Sequence, residues 1–160
     1  MKMSIPVKVE LADLKNQAQT DAVRMLLSEY MADPMGGAIR PHSLCTFERM
    51  IADLLRMPTA MVLIAYCNKN PVGMAVCFTG YSTFKAAPLV NIHDIIVTKN
   101  YRGKGIGKLL LKAVEEFAKT SGCCKITLEV RQDNMAAQML YKKYGFTKGE
   151  VGMDFLMKNI

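Results

Sequence analysis

Two hydrophobic periods divide this chain. Residues 7–11, Val-Lys-Val-Glu-Leu, alternate apolar and polar with the period of a strand. From about 15 to 31 the apolar positions Ala18, Ala22, Met25, Leu26 and Tyr30 recur at helical spacing. Glycines and prolines make 33–41 a loop, and a second helix is predicted over 43–57, stopped by Pro58. The run AMVLIAYC (60–67) predicts a buried strand, NKNP the turn after it, and 72–84 its hairpin partner. PLVNIHDIIV (88–97) predicts a further strand, followed by a glycine-rich loop.

A helix over 108–121 is expected to bury Leu109, Leu110, Ala113, Val114 and Phe117, with Lys112, Glu115, Glu116 and Lys119 outside and Gly122 at its end. CKITLEV (124–130) alternates again, Cys124, Ile126, Leu128 and Val130 on one face. One helix separates this strand from 88–97, which predicts a parallel pair. Asp133 is placed to cap a helix running to Tyr144, closed by Gly145. A hairpin over 146–149 and 152–158 would complete a mixed α/β sheet with helices on both faces.

The 160 residues suit one domain, and 51% apolar content permits a full core. No stretch has the ~20 uninterrupted apolar residues of a membrane span. The start, MKMSIPVKVE, lacks the apolar segment of a signal peptide. The five cysteines are odd in number and show neither C-x-x-C nor a histidine partner, so no metal site is expected and reduced, cytoplasmic thiols fit best. A formal charge of +7 favours anionic partners. Nucleic acid is disfavoured, because no recognition motif and no basic stripe interleaved with aromatics is present.

The densest positive charge coincides with the glycines. Strand, glycine loop and helix together form an anion-binding arrangement, since first-turn N–H groups lack helical partners and the helix dipole is positive there. Gly103, Gly105 and Gly107 allow the main chain to curl, and Arg102, Lys104 and Lys108 add charge. A Rossmann G-x-G-x-x-G fails, with Lys108 and Leu110 where the third glycine is needed; a P-loop fails because Leu109 follows Gly107-Lys108. A glycine-rich turn without a ligand is the alternative.

The motif that fits is R-x-x-G-x-G, over Arg102-Gly103-Lys104-Gly105-Ile106-Gly107. With VNIHDIIV before it and TLEVRQDNMAAQMLYKKYGF after it, residues 90–146 resemble the GNAT superfamily of acyl-CoA N-acyltransferases. Residues 1–89 agree loosely with that family's order of elements. The resemblance implies a mostly antiparallel central sheet with one splayed parallel pair. It implies acetyl-CoA as cofactor, its diphosphate on the glycine loop and its pantetheine against the main chain of Ile95, Ile96 and Val97. It is compatible with a homodimer and implies no membrane partner.

Transfer of an acetyl group from a thioester to an amine needs a placed acyl group, a polarised carbonyl, an uncharged amine and a protonated leaving thiolate. Asn134 and Tyr141, seven residues apart, share one helical face with Ala137 and Gln138 between them. A phenol can protonate a thiolate, and the family often places such a tyrosine at Tyr141, with an asparagine at Asn134 holding the cofactor beside Ala137. A Tyr141 that merely packs is the other reading. Deprotonating an alkyl amine at neutral pH costs about 4 kcal/mol. His93 is the candidate base, where similar diamine acetyltransferases carry glutamate; a hydrogen-bonded core histidine is the alternative. Strict alternation would send His93 and Asp94 to opposite faces.

The acceptor is expected between the 30–42 loop, the 78–86 segment and the C-terminal hairpin. Tyr30, Asp33 and Tyr81 are candidates there, as is Glu129 on the next strand. A primary amine of a small molecule or peptide fits. A non-catalytic acyl-CoA-binding sensor would keep the loop and dispense with Tyr141. Covalent catalysis by Cys123 or Cys124 is the weakest reading, since neither has a histidine nearby in sequence.

Overall fold

The computed structural model describes residues 6–149 and 155–160. The chain falls into two compact units, divided after Glu129. The first holds strands β1 (Val7–Leu11), β2 (Ala60–Cys67), β3 (Asn70–Ser82), β4 (Ala87–Val97) and β5 (Ile126–Leu128), with helices α1 (Gln17–Ala32), α2 (Leu44–Arg56) and α3 (Ile106–Thr120). The second holds helix α4 (Met135–Tyr144).

The strands form one sheet in sequence order, β1-β2-β3-β4-β5. The first four are antiparallel, and β5 pairs parallel to β4, as a crossover through a helix requires. The sheet is covered on both faces. Val62, Ile64, Met74, Val76 and Ile96 pack with Ala22, Val23 and Leu26 of α1 and Phe47 and Ile51 of α2. Each such aliphatic or aromatic side chain contributes roughly 1.5–3 kcal/mol on burial. Gly73 precedes Met74 and so faces the other side, where α3 lies. A methyl group there would come within 2.8 Å of the Ile96 carbonyl oxygen and 3.2 Å of the Ile106 side chain. Glycine at this position therefore lets α3 seat directly on the strand.

Five sequence expectations are corrected. In α1 the packed stripe is Ala22, Val23, Leu26 and Met31, while Ala18 and Met25 are exposed. In α3 the buried set is Ile106, Leu110, Leu111, Val114 and Ala118, and Leu109 faces outward. The strand expected over 124–130 pairs only over Ile126–Leu128. Asn134, not Asp133, caps α4, its side chain accepting from the Ala137 N–H. The Asp133 carboxylate is instead held by the Arg131 guanidinium. Of the expected C-terminal hairpin, 146–149 and 155–158 form no strand, and 150–154 lie outside the described residues.

Candidate active site

The site begins at an irregularity in β4. Cys77 pairs with Ile92 and its neighbour Val76 with Asp94, so His93 is an extra residue opposite no partner: a β-bulge. The parallel ladder to β5 ends at the same place, with Ile92 opposite Leu128. Beyond the bulge, residues 93–97 have no strand partner on the β5 side among the described residues. Main-chain groups on that edge are available to an extended ligand, as an open sheet edge is to an added strand.

The bulge also overturns the strict alternation expected at His93 and Asp94. The His93 ring meets Phe78 edge to face, centroids 5.6 Å apart, and Phe78 packs on the α1–α2 core. Asp94 lies opposite Val76, a member of that same core. Both side chains therefore belong to one face, and the His93 charge reaches the Asp94 carboxylate. Burial dominates and pushes the Asp94 carboxyl above its ordinary range, against the lowering effect of His93.

A carboxyl whose folded-state pKa exceeds its unfolded value favours folding while protonated. That contribution is present at low pH and is lost as pH rises through the raised value. Asp94→Asn is therefore expected to melt higher than the parent near neutral pH. The difference should close as pH falls below about 3, where the carboxyl is protonated in both states. Melting curves across pH check this; an Asn variant less stable at neutral pH would contradict it.

β4 leads through a short 3-10 turn (Lys99–Tyr101) into the glycine loop and α3. Gly103 has φ +73° and Gly105 φ +85°, a region that L side chains reach at a cost of roughly 1–2 kcal/mol. An added Cβ at either would meet no atom within 4 Å. Glycine is thus required there by main-chain curvature and open approach, not by packing. Side chains of Asn16, Ser43 and Asn134 cap α1, α2 and α4, but α3 starts on Gly105 with no side-chain cap. Among the described residues its first-turn amides have no side-chain acceptor, and the dipole of this 15-residue helix favours an anion beside them. The residues present fit a diphosphate.

The basic residues of the motif have distinct roles. The Arg102 Nε donates to the Val97 carbonyl at 3.0 Å, and its Nη2 donates to Asp33 Oδ2 at 2.9 Å. Lys104 Nζ sits 4.8 Å from the centre of the Tyr101 ring. Lys108, in the first turn of α3, is exposed. Asp33 follows α1 and also accepts from the Met35 N–H at 2.9 Å. That hydrogen bond, then the Arg102 guanidinium, holds its carboxyl below the ordinary range. Sequence reasoning missed the Asp33–Arg102 pair, since 69 residues separate the two and no local signal joins them.

Other expected site residues are placed as follows. Tyr30 is half-buried against the α1–α2 core, Tyr81 is exposed on β3, and Glu129 is exposed just after β5. Asn91 of β4 donates to the Thr127 hydroxyl of β5 at 3.1 Å, fixing the pair just before it opens. In the second unit, Tyr141 is buried, with its ring edge-on to Phe146 at 5.8 Å. Asn134 and Ala137 are joined by the helix cap, and Gln138 donates to the carbonyls of Arg131 and Gln132. Burial raises the Cys123 thiol above its ordinary range, and that of Cys77 is pushed up to about 12. Neither favours a thiolate nucleophile. Among the described residues no cluster of three metal-ligating side chains occurs, and no helix is long and apolar enough to cross a membrane.

Known proteins share this fold. An aminoglycoside acetyltransferase from a soil metagenome superposes with a TM-score of 0.80 at 20% identity, over 96% of this chain and 97% of that one. An uncharacterised N-acetyltransferase of Methanocaldococcus jannaschii is 35% identical over 85 residues, which is 52% of this chain and 38% of the relative. Bos taurus thialysine N-epsilon-acetyltransferase is 39% identical over 74 residues, 46% of this chain and 43% of the relative. The chain thus matches less than half the length of each of these two curated relatives. The family model for acetyltransferases of the GNAT family covers residues 23–146, taking in the bulged β4, the glycine loop and α4. With the fold, the opened parallel pair and the uncapped glycine loop in agreement, the chain belongs to the GNAT acetyltransferase family.

Proposed function

We propose that this protein is an acetyl-CoA-dependent N-acetyltransferase acting on a primary amine of a small molecule or peptide by direct attack. The observation that carries the reading is the continuity of an open β4 edge, past the bulge, with a glycine loop whose helix has no side-chain cap. Membership in the GNAT family supports it, and so does the name of the bovine relative, which specifies transfer to a side-chain amine.

Acetyl-CoA supplies an acyl thioester, whose C–S bond breaks as the C–N bond to the amine forms. The amides of Gly103 to Lys108 hold the diphosphate, with Lys104 and Lys108 adding charge. The main chain of Ile95, Ile96 and Val97 orients the pantetheine, and an N–H of this strand polarises the carbonyl. Asn134 and Ala137 contribute from the start of α4. His93 takes the proton of the incoming amine, directly or through water. Tyr141 gives its phenolic proton to the departing thiolate and regains one from solvent. Tyr30, Tyr81 and Glu129 face the acceptor.

Asp94 lies on the same face as His93, and its carboxylate, where ionised, stabilises the imidazolium that forms when His93 accepts the proton. The test is thiol release from acetyl-CoA across a panel of lysine-like amines, diamines and peptide N-termini. Release that depends on one amine class is expected. Tight coenzyme A binding without release on any amine would favour the acyl-CoA sensor instead.

A further inference from the structure

Two hydrogen bonds reach across the first unit from the end of α1 to the segment entering α3, and a third ties that segment to the end of β4. Glu29 accepts from the Lys99 main-chain N–H at 2.8 Å. Arg102 donates to Asp33 at 2.9 Å and to the Val97 carbonyl at 3.0 Å. The guanidinium therefore bridges the last residue of β4, the turn after α1 and its own place at the mouth of the glycine loop. The Asp33 side chain is 14% exposed, against 44% for Arg102, so the carboxylate is the fixed end of the pair. It is fixed again by the Met35 N–H, and its own main-chain N–H and carbonyl close the end of α1 and the turn to Ala38. A fork anchored at two points in this way is pre-organised in a manner that a solvated arginine is not.

We propose that Asp33 is a positioning residue for the glycine loop, acting through Arg102, which serves as a main-chain clamp and not as a ligand of the diphosphate. The inference rests on the reading of that loop as the coenzyme A site. Its content is specific: the carboxylate sits in the segment expected to meet the amine, yet it governs the cofactor side. The charge balance supports this assignment. A guanidinium neutralised by a carboxylate offers little net attraction to a diphosphate, whereas the curled amides of the loop and Lys108 keep theirs.

Asp33→Asn separates the two bonds of this carboxylate. The amide oxygen of asparagine still accepts from the Met35 N–H, so the turn keeps its cap, but its NH₂ cannot accept from Arg102. Calorimetric titration with coenzyme A is expected to give roughly fivefold weaker binding for Asp33→Asn, with the double variant Asp33→Asn/Arg102→Gln no weaker than Arg102→Gln alone. Unchanged or tighter binding by Asp33→Asn would overturn the proposal, since freeing the guanidinium would then have helped the anion. A change confined to the KM of the amine would overturn it too. Amide hydrogen exchange in the ligand-free protein tests the clamp independently of the function. Exchange at Lys99, Tyr101 and Arg102, whose amides donate to Glu29, Thr98 and Lys99, should quicken about fivefold in Asp33→Asn while Tm holds. Quickened exchange in a protein that fails to bind coenzyme A would sustain the clamp and sink the functional reading; unaltered exchange would sink the clamp.

Discussion

Tyr141→Phe is expected to lower kcat about 100-fold at neutral pH, the low end of what general-acid catalysis contributes. The affinity for coenzyme A should stay within about twofold, because phenylalanine keeps the edge-on contact with Phe146 and alters no group assigned to the diphosphate. The pH profile carries the sharper content. A thiol of ordinary pKa near 8.5 leaves as a stable thiolate once pH exceeds that value, and the need for a proton donor then fades. The deficit of the variant should accordingly narrow at alkaline pH. A variant with full kcat and weakened cofactor binding would assign Tyr141 to packing.

The second large effect is expected at the glycine loop. Gly103 and Gly105 both have positive φ, and neither has an atom within 4 Å of where a methyl would stand. Alanine at both positions therefore costs the folded protein little through contact, and an exposed loop relaxes out of the left-handed region. Binding must then restore that conformation. At roughly 1–2 kcal/mol for each residue, coenzyme A should bind about 30- to 1000-fold more weakly to the double variant. Tm should fall by only a few degrees. Equal affinity for parent and variant would show that the curled loop is not what holds the ligand.

Much of this was legible in the sequence. The strands announced themselves by period, and the R-x-x-G-x-G motif fell between β4 and α3, where the anion site is proposed. Three kinds of feature were not legible, each for a physical reason. Leu109, Leu110 and Leu111 are consecutive, so helical periodicity alone permits more than one buried face; α3 seats Ile106 and Leu110 on Gly73, and Leu111 is buried with them. Asp133 and Asn134 are both good caps, and the nearby Arg131 guanidinium takes Asp133 out of contention. The bulge leaves no trace in VNIHDIIV, because an extra residue in one strand is defined only by its partner. That bulge is what brings His93 and Asp94 to one face. The Asp33–Arg102 clamp is illegible for the same reason: it exists only once the sheet has formed.

The main-chain amides at the start of α3 are expected to grip a diphosphate. Amide-resolved NMR during titration with coenzyme A tests this most directly. Gly103, Gly105, Gly107 and Lys108 should show the largest saturable shifts, and dephospho-coenzyme A, which keeps the diphosphate, should reproduce them. Saturation with these four amides unmoved, or no saturation at all, would contradict the account.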